Sequence, residues 1–468
     1  MFQDSRVTGV VIVTLMALMT AMIKPFAGLA PLGHYVVASV MITLGLWIFK
    51  PGGVPFLAGS AFLVAGSLML GLKYHVVASG FVSPAVWILI PALYFGFVLQ
   101  KTGLGKRIAY SVLKSFTPSW ATMALSWFII GMALSALTPS ITVRLAIVMP
   151  IALGIIDACK QEYNSKGSAY IALIAFAMCI FPGTGWLTGS LSGPIMIGFL
   201  PPALKPLATF DNWFQMLALP WFVVTVVYVI LVYLLMKPKE GIGIPRDTFK
   251  RQYAELGPVT RQEIITALIL LGSLILFTTE KVHGIPTAAT ALLALLLLLL
   301  SGIIEASEIG TGANWDVIVF FGVAIGLSTI FSEAGVSAWI APLLEPAMLY
   351  LAPNPLLFMM TTTFGILLIR FIDVPWGYSA IALTTTVLIP VWNKFGIHPL
   401  VATFAYLAGI NFFLLGYQQP WILMAEGMIR NKGWAAGHIL IAGLCYIIAV
   451  VIALLVSVPY WRMIGAIH

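Results

Sequence analysis

Long uncharged stretches alternate with short polar ones along nearly the whole chain. Apolar segments of bilayer-spanning length run roughly over 7–23, 34–49, 53–72 and 85–100. An amphipathic stretch, 101–118, leads into an apolar block in which Arg144 is the one charged residue between Ser115 and Ile156. Further apolar segments cover roughly 168–200, 213–236, 263–279, 285–304 and 315–331, and a second long block covers 347–393. Two more, 399–429 and 434–458, complete the series. The substantial polar stretch "KPKEGIGIPRDTFKRQYAELGPVTRQE", 237–263, divides the chain near its middle. The pattern predicts an all-α polytopic membrane protein with the following parts. Residues 1–84 form N-terminal scaffold helices, 85–236 a first repeat with a hairpin, and 237–263 a cytoplasmic linker. Residues 264–314 form connecting scaffold helices, and 315–468 a second repeat with its own hairpin.

Composition agrees. Hydrophobic residues make up 61% and charged residues 9%, where a soluble domain carries about 25% charged. The net charge of +8 comes from basic residues scattered between apolar spans, as cytoplasmic loops require, and excludes a nucleic-acid surface. The 3 Cys and 6 His show no disulfide or metal-ligand spacing. The run 7–23 is longer than a signal-peptide core and ends at Lys24-Pro25, so it reads as a retained first span in a bacterial inner membrane. No catalytic dyad, cofactor loop or metal cluster points to an enzyme.

The two halves resemble each other. "FGFVLQKTGLGKRIAYSVLK" (95–114) matches "GLSTIFSEAGVSAWIAPLLE" (326–345), with Gly103 opposite Gly335. Each precedes a block with a Pro near its middle, Pro139 or Pro375, and a second Pro, Pro150 or Pro390. Each block precedes an interrupted segment, "FPGTGWLTGSLSGP" (181–194) or "NFFLLGYQQPW" (411–421). Paired interruptions in corresponding places point to a transporter binding site. Lys101, Lys106, Arg107 and Lys114 lie in the first repeat's matched stretch, and Glu333 and Glu345 in the second's. By the positive-inside rule the two stretches face opposite sides, so the repeat is inverted.

A block of about 40 apolar residues with a polar middle can be two full spans or a re-entrant hairpin whose tip lies at membrane depth. Arg144 lies just past one break and Arg370 just before the other, and these favour the hairpin. Each guanidinium could hold a carboxylate, sulfonate or phosphate in a bidentate contact. Each could instead cap hairpin carbonyls or serve as a tethered cation. Asp373, three residues past Arg370, can be its ion-pair partner or a proton-coupling carboxylate. Thr138, Ser140, Thr142, Thr188, Ser190, Ser379 and Asn411 offer neutral hydrogen bonds near the breaks, and Tyr417 and Gln418 could shape a pocket.

This plan resembles the divalent-anion/sodium symporter family, within the wider ion-transporter superfamily. The resemblance covers most of the chain and implies about eleven spans plus two re-entrant hairpins. It further implies an elevator mechanism, a homodimer, and an anion held between the hairpin tips. Family members carry Ser-Asn-Thr at each tip. Counting back from Pro150, Ser140-Ile141-Thr142 occupies the first motif, with Ile141 in place of Asn; Ser379-Ala380 lies near the second. Leu187-Thr188-Gly189-Ser190 is similar to the family's first unwound segment, and Gly416-Tyr417-Gln418-Gln419-Pro420 stands at the second. Sodium is the one cofactor the resemblance implies. With both Asn positions changed and a guanidinium near each tip, the expectation is secondary transport of a di- or tricarboxylate, sulfonate or similar anion that does not strictly need sodium. The alternative is cation/proton antiport on the same scaffold, with Asp373 as the exchange site.

The charge pattern predicts that the N-terminus and 237–263 are cytoplasmic, with 333–346 and the C-terminus outside. Impermeant thiol labelling on a background lacking Cys159, Cys179 and Cys445 should reach Glu345→Cys from the outside. Labelling only from the cytoplasm would refute the inverted repeat.

Overall fold

The computed structural model describes residues 2–200, 204–351, 353–371, 392 and 395–467, and among these the regular elements are helices. Among the described residues, 9 helices are long and apolar enough to cross a bilayer, including Pro31–Phe49, Pro84–Lys101, Phe210–Met236 and Ala436–Met463. Shorter apolar helices, Phe56–Met69 and Thr287–Leu300 among them, occupy other expected segments. A helix satisfies its own backbone within the segment, which is the condition for crossing hydrocarbon.

The order of elements repeats. Pro84–Lys101 and Trp315–Glu333 are each followed by a glycine with positive φ, Gly103 at 79° and Gly335 at 74°. Glycine adopts this left-handed turn without a Cβ clash, and the chain then re-enters helix at Leu104–Leu113 or Val336–Leu351. Trp120–Leu137 and Pro355–Ile369 come next, each started by a side-chain cap. Ser119 Oγ accepts from Thr122 N at 3.1 Å, and Asn354 Oδ1 accepts from Leu357 N at 3.1 Å. The first hairpin closes with Ile141–Ala158; the tip and second arm expected around Pro375 and Pro390 lie outside the described residues. Interrupted spans follow in both halves: Lys166–Met178 and Ser192–Phe199 in one, Pro399–Ile410 and Pro420–Met428 in the other. The long closing helices Phe210–Met236 and Ala436–Met463 pack along each other.

The segment 167–184 is completely enclosed by protein. It reads as small and apolar on every face, "GSAYIALIAFAM", because both hairpin arms and both closing helices pack against it. The N-terminal helices are tied to the second repeat by Asp316, whose carboxylate accepts from Phe56 N at 3.0 Å and Leu57 N at 2.7 Å. An acid at these orphan N–H groups also complements the helix dipole.

The linker is held tightly. Buried Arg107, on Leu104–Leu113, donates to Glu263 Oε1 at 2.6 Å and to the carbonyls of Leu256, Gly257 and Pro258 at 3.1–3.3 Å. The hydrogen bond to Glu263 raises the pKa of Arg107. Glu263 Oε2 accepts from Thr260 N at 2.7 Å, completing a capping box. One carboxylate thus starts the helix Arg261–Thr278 and pins the amphipathic helix to the linker. Glu263→Ala leaves a buried guanidinium without its counter-charge and should destabilise the protein by about 3 kcal/mol. Thermal unfolding in detergent checks this; an unchanged melting temperature would show that the linker carbonyls alone suffice.

Candidate functional site

The first hairpin tip is Thr138-Pro139-Ser140. Proline favours an extended residue before it, and Thr138 has φ −146° and ψ 131°. Thr138 Oγ1 accepts from Ser140 N at 3.2 Å, and Ser140 Oγ caps the second arm by accepting from Val143 N at 3.3 Å. Both hydroxyls are therefore engaged by the turn itself, and the tip is buried in protein. Gly96 on Pro84–Lys101 makes room for it: a Cβ there would lie 2.8 Å from Ser140 Cβ and 3.0 Å from Thr138 Oγ1.

Helical side chains point toward the helix N-terminus, so Arg144, one turn into the second arm, reaches back over the tip. It is 0% exposed. Its Nη1 donates to Thr138 O at 2.9 Å and to Gly189 O at 2.7 Å. One nitrogen thereby joins the hairpin tip to the unwound segment of the next span. The segment comes this close because two glycines lack side chains. A Cβ at Gly183 would lie 2.7 Å from both Nη atoms of Arg144 and would collide with Gly189 O. A Cβ at Gly189 would lie 2.6 Å from Gly183 O. Nε and Nη2 of Arg144 have no acceptor among the described residues. They face Trp127, Ile130, Leu134, Val148, Met178 and Cys179, packed too closely to admit a water molecule.

The second repeat makes a counterpart contact. Arg370, 1% exposed, follows Pro355–Ile369, and its Nη2 donates to Gln418 O in the interrupted segment. The Gln418 side chain shapes that segment, with Oε1 accepting from Leu414 N at 2.8 Å and Leu415 N at 2.9 Å. In each half, then, a hairpin arginine donates to a backbone carbonyl of the break that follows it.

The other expected site residues separate by their surroundings. Thr188 and Ser190 are buried on the first unwound segment, and Ser190 Oγ donates to Ser192 Oγ at 3.1 Å. Thr142 is half-buried on the second arm. Asn411 is buried at the start of the second break, and its Nδ2 has no acceptor among the described residues. Tyr417 is exposed. Asp373 and Ser379 lie outside the described residues, and with them the expected Arg370–Asp373 pair. Among the described residues no cluster of His, Cys, Asp or Glu could hold a metal ion. Gly183, Gly189 and the carbonyls of Thr138 and Gln418 do not stand out when side chains are sought. The glycines of "FPGTGWLTGSLSGP" are their trace in the sequence.

Residues 4–467 match the model of the sodium:sulfate symporter transmembrane region. The chain belongs to this family. It is 25% identical over 406 residues to a membrane protein of Cupriavidus necator, covering 83% of this chain and 76% of that one. It is 22% identical over 420 residues to dicarboxylate transporter 1, chloroplastic, of Arabidopsis thaliana, covering 86% and 73%. The crystal structure of the YdaH transporter of Alcanivorax borkumensis superposes with a TM-score of 0.57 at 16% identity, covering 86% of this chain and 90% of that chain. That likeness concerns the fold. Family membership makes the protein an integral, multi-pass membrane protein of a transporter family.

Gly183→Ala places a methyl group against the guanidinium and Gly189 O, neither of which can withdraw without losing the junction. It should cost about 1–3 kcal/mol, read as a lower melting temperature in detergent. A melting temperature equal to wild type would show that the junction is loose.

Proposed function

We propose that the protein is a secondary active transporter of a small anion with two or more carboxylate-like groups, and that it runs without strict sodium coupling. The observation that carries this reading is the pair of buried arginines, each bonded to the break of its own repeat, in a chain of this family. A guanidinium in the first turn of a helix adds its charge to the positive end of the helix dipole. In a low-dielectric interior that field reaches a substrate several ångströms away. Arg144 is then a fixed positive charge behind the first tip, and Arg370 its counterpart in the second repeat. Thr138, Ser140, Thr142, Thr188, Ser190, Ser379, Asn411, Tyr417 and Gln418 supply the neutral surroundings, and the Asn411 amide, whose Nδ2 has no acceptor among the described residues, is a donor for the anion. The relative of Arabidopsis thaliana is named for dicarboxylates, which supports that class.

The guanidinium also accounts for the sodium independence. Nη1 occupies the point where the carbonyls of Thr138 and Gly189 converge, and such a pair of oxygens would otherwise suit a bare cation. Transport by an elevator movement, in a homodimer of the bacterial inner membrane with the N-terminus cytoplasmic, completes the proposal. Asp373 serves it as either the partner of Arg370 or a proton-coupling group.

Proteoliposomes should take up a dicarboxylate equally well when sodium is replaced by choline at constant membrane potential; a steep sodium dependence refutes the coupling. Arg144→Gln should abolish flux while the protein still inserts and purifies. Arg144→Ala should regain part of it with added guanidinium ion. Unchanged flux in Arg144→Gln would remove Arg144 from the site.

A further inference from the structure

A cavity of about 460 Å³ opens beside the first unwound segment, a size typical of small-ligand sites. Its walls come from four places: Met132 of the first hairpin arm, Pro182, Gly185 and Trp186 of the break, Ala218 and Leu219 of Phe210–Met236, and Tyr460 of Ala436–Met463. Phe214 and Phe222 flank the opening and are 44% and 49% exposed. They are fixed by ring contacts, Phe214 with Trp186 at 5.2 Å and Phe222 with Phe128 at 6.0 Å between centroids.

The lining is chiefly apolar. The Thr225 hydroxyl donates to Trp221 O at 2.6 Å, and the Tyr460 hydroxyl to Gln215 O at 2.7 Å. Both hydroxyls are therefore spent on backbone, which leaves the exposed Gln215 amide and the Trp186 indole N–H as the side-chain polar groups of the lining without a partner among the described residues. A polar ligand would lose its water here and find little in exchange, since the rest of the lining is apolar. The opening lies on a helix of 27 residues that is apolar enough to span the bilayer and whose outer face, Phe214, Phe222, Ile230 and Leu234, is exposed. In a membrane protein that face is covered by lipid, so the cavity is a recess in an existing lipid interface.

We propose that the cavity is a binding site for one acyl tail of a membrane phospholipid. The tail lies against Gly185 and Trp186, where the helix ends and the segment carrying the Gly189 carbonyl begins. It packs against the same broken segment whose Gly189 carbonyl Arg144 holds. The site rests on the cavity and the membrane setting, and stands or falls independently of the transported anion.

The test uses the full-length protein in phosphatidylcholine vesicles whose tails are either plain or brominated at mid-chain. Bromine quenches tryptophan on contact. Wild type should lose a larger fraction of its emission than Trp186→Phe does. That difference should fall by at least half when Ala218→Phe fills the cavity. Met132→Phe fills it from the opposite wall and serves the same purpose if the first variant does not fold. Equal fractional quenching in wild type and Trp186→Phe would overturn the proposal. So would a difference that both filling variants leave unchanged, since Trp186 would then meet lipid only at the outer surface.

Discussion

A helix that breaks inside a membrane protein exposes carbonyls and amides that water cannot reach. Each unpaired group costs up to several kcal/mol, about as much as an arginine at the bilayer centre, about 2.5–3.5 kcal/mol. Here the two liabilities offset each other in part. The Thr138 and Gly189 carbonyls are freed by the hairpin tip and the interrupted span, and Arg144 Nη1 donates to both. Break and arginine stabilise each other, and together they hold a non-helical junction in the first repeat.

The second repeat applies the same solution with different parts. Arg370 stands at a helix C-terminus, where its charge suits the dipole, whereas Arg144 sits in a first turn, where the dipole opposes it. The first site therefore keeps more uncompensated positive charge than its helix can offset. On the proposed function an anion complements that charge, and small residues bring the backbone close to it. Gly183 and Gly189 make this approach possible on one side of Arg144; Trp127, Leu134 and Cys179 exclude water on the other.

Peripheral parts follow the same rule of paired polar groups. Arg107 takes up three linker carbonyls and one carboxylate at the polar edge of the molecule. Asp316 takes up two amides at the start of a helix 260 positions away in sequence. Thr225 and Tyr460 spend their hydroxyls on backbone carbonyls and leave an apolar recess facing the membrane. The pairing of these polar groups leaves the membrane-facing recess lined chiefly by hydrocarbon.

Much of the fold was legible in the sequence. Apolar run lengths placed the spans, because the thickness of the bilayer sets segment length. The Gly103 and Gly335 alignment located the repeat, because a left-handed turn selects glycine on backbone sterics alone. Arg144 and Arg370 stood out because charge is rare in hydrocarbon. What they bond to was not legible. Their acceptors are backbone carbonyls 45 and 48 residues away, and every residue type carries the same carbonyl. Thr138, Ser140 and Ser190 offered hydrogen bonds either to a ligand or to their own backbone, and the folded turns engage them locally. The recess beside Trp186 is assembled from four segments distant in the chain, so no local pattern marks it. Sequence by itself determined which residues must be buried and where helices must break, since those follow from the solvent. Tertiary structure decided which broken end meets which charge, since a backbone acceptor has no identity until packing brings a donor to it.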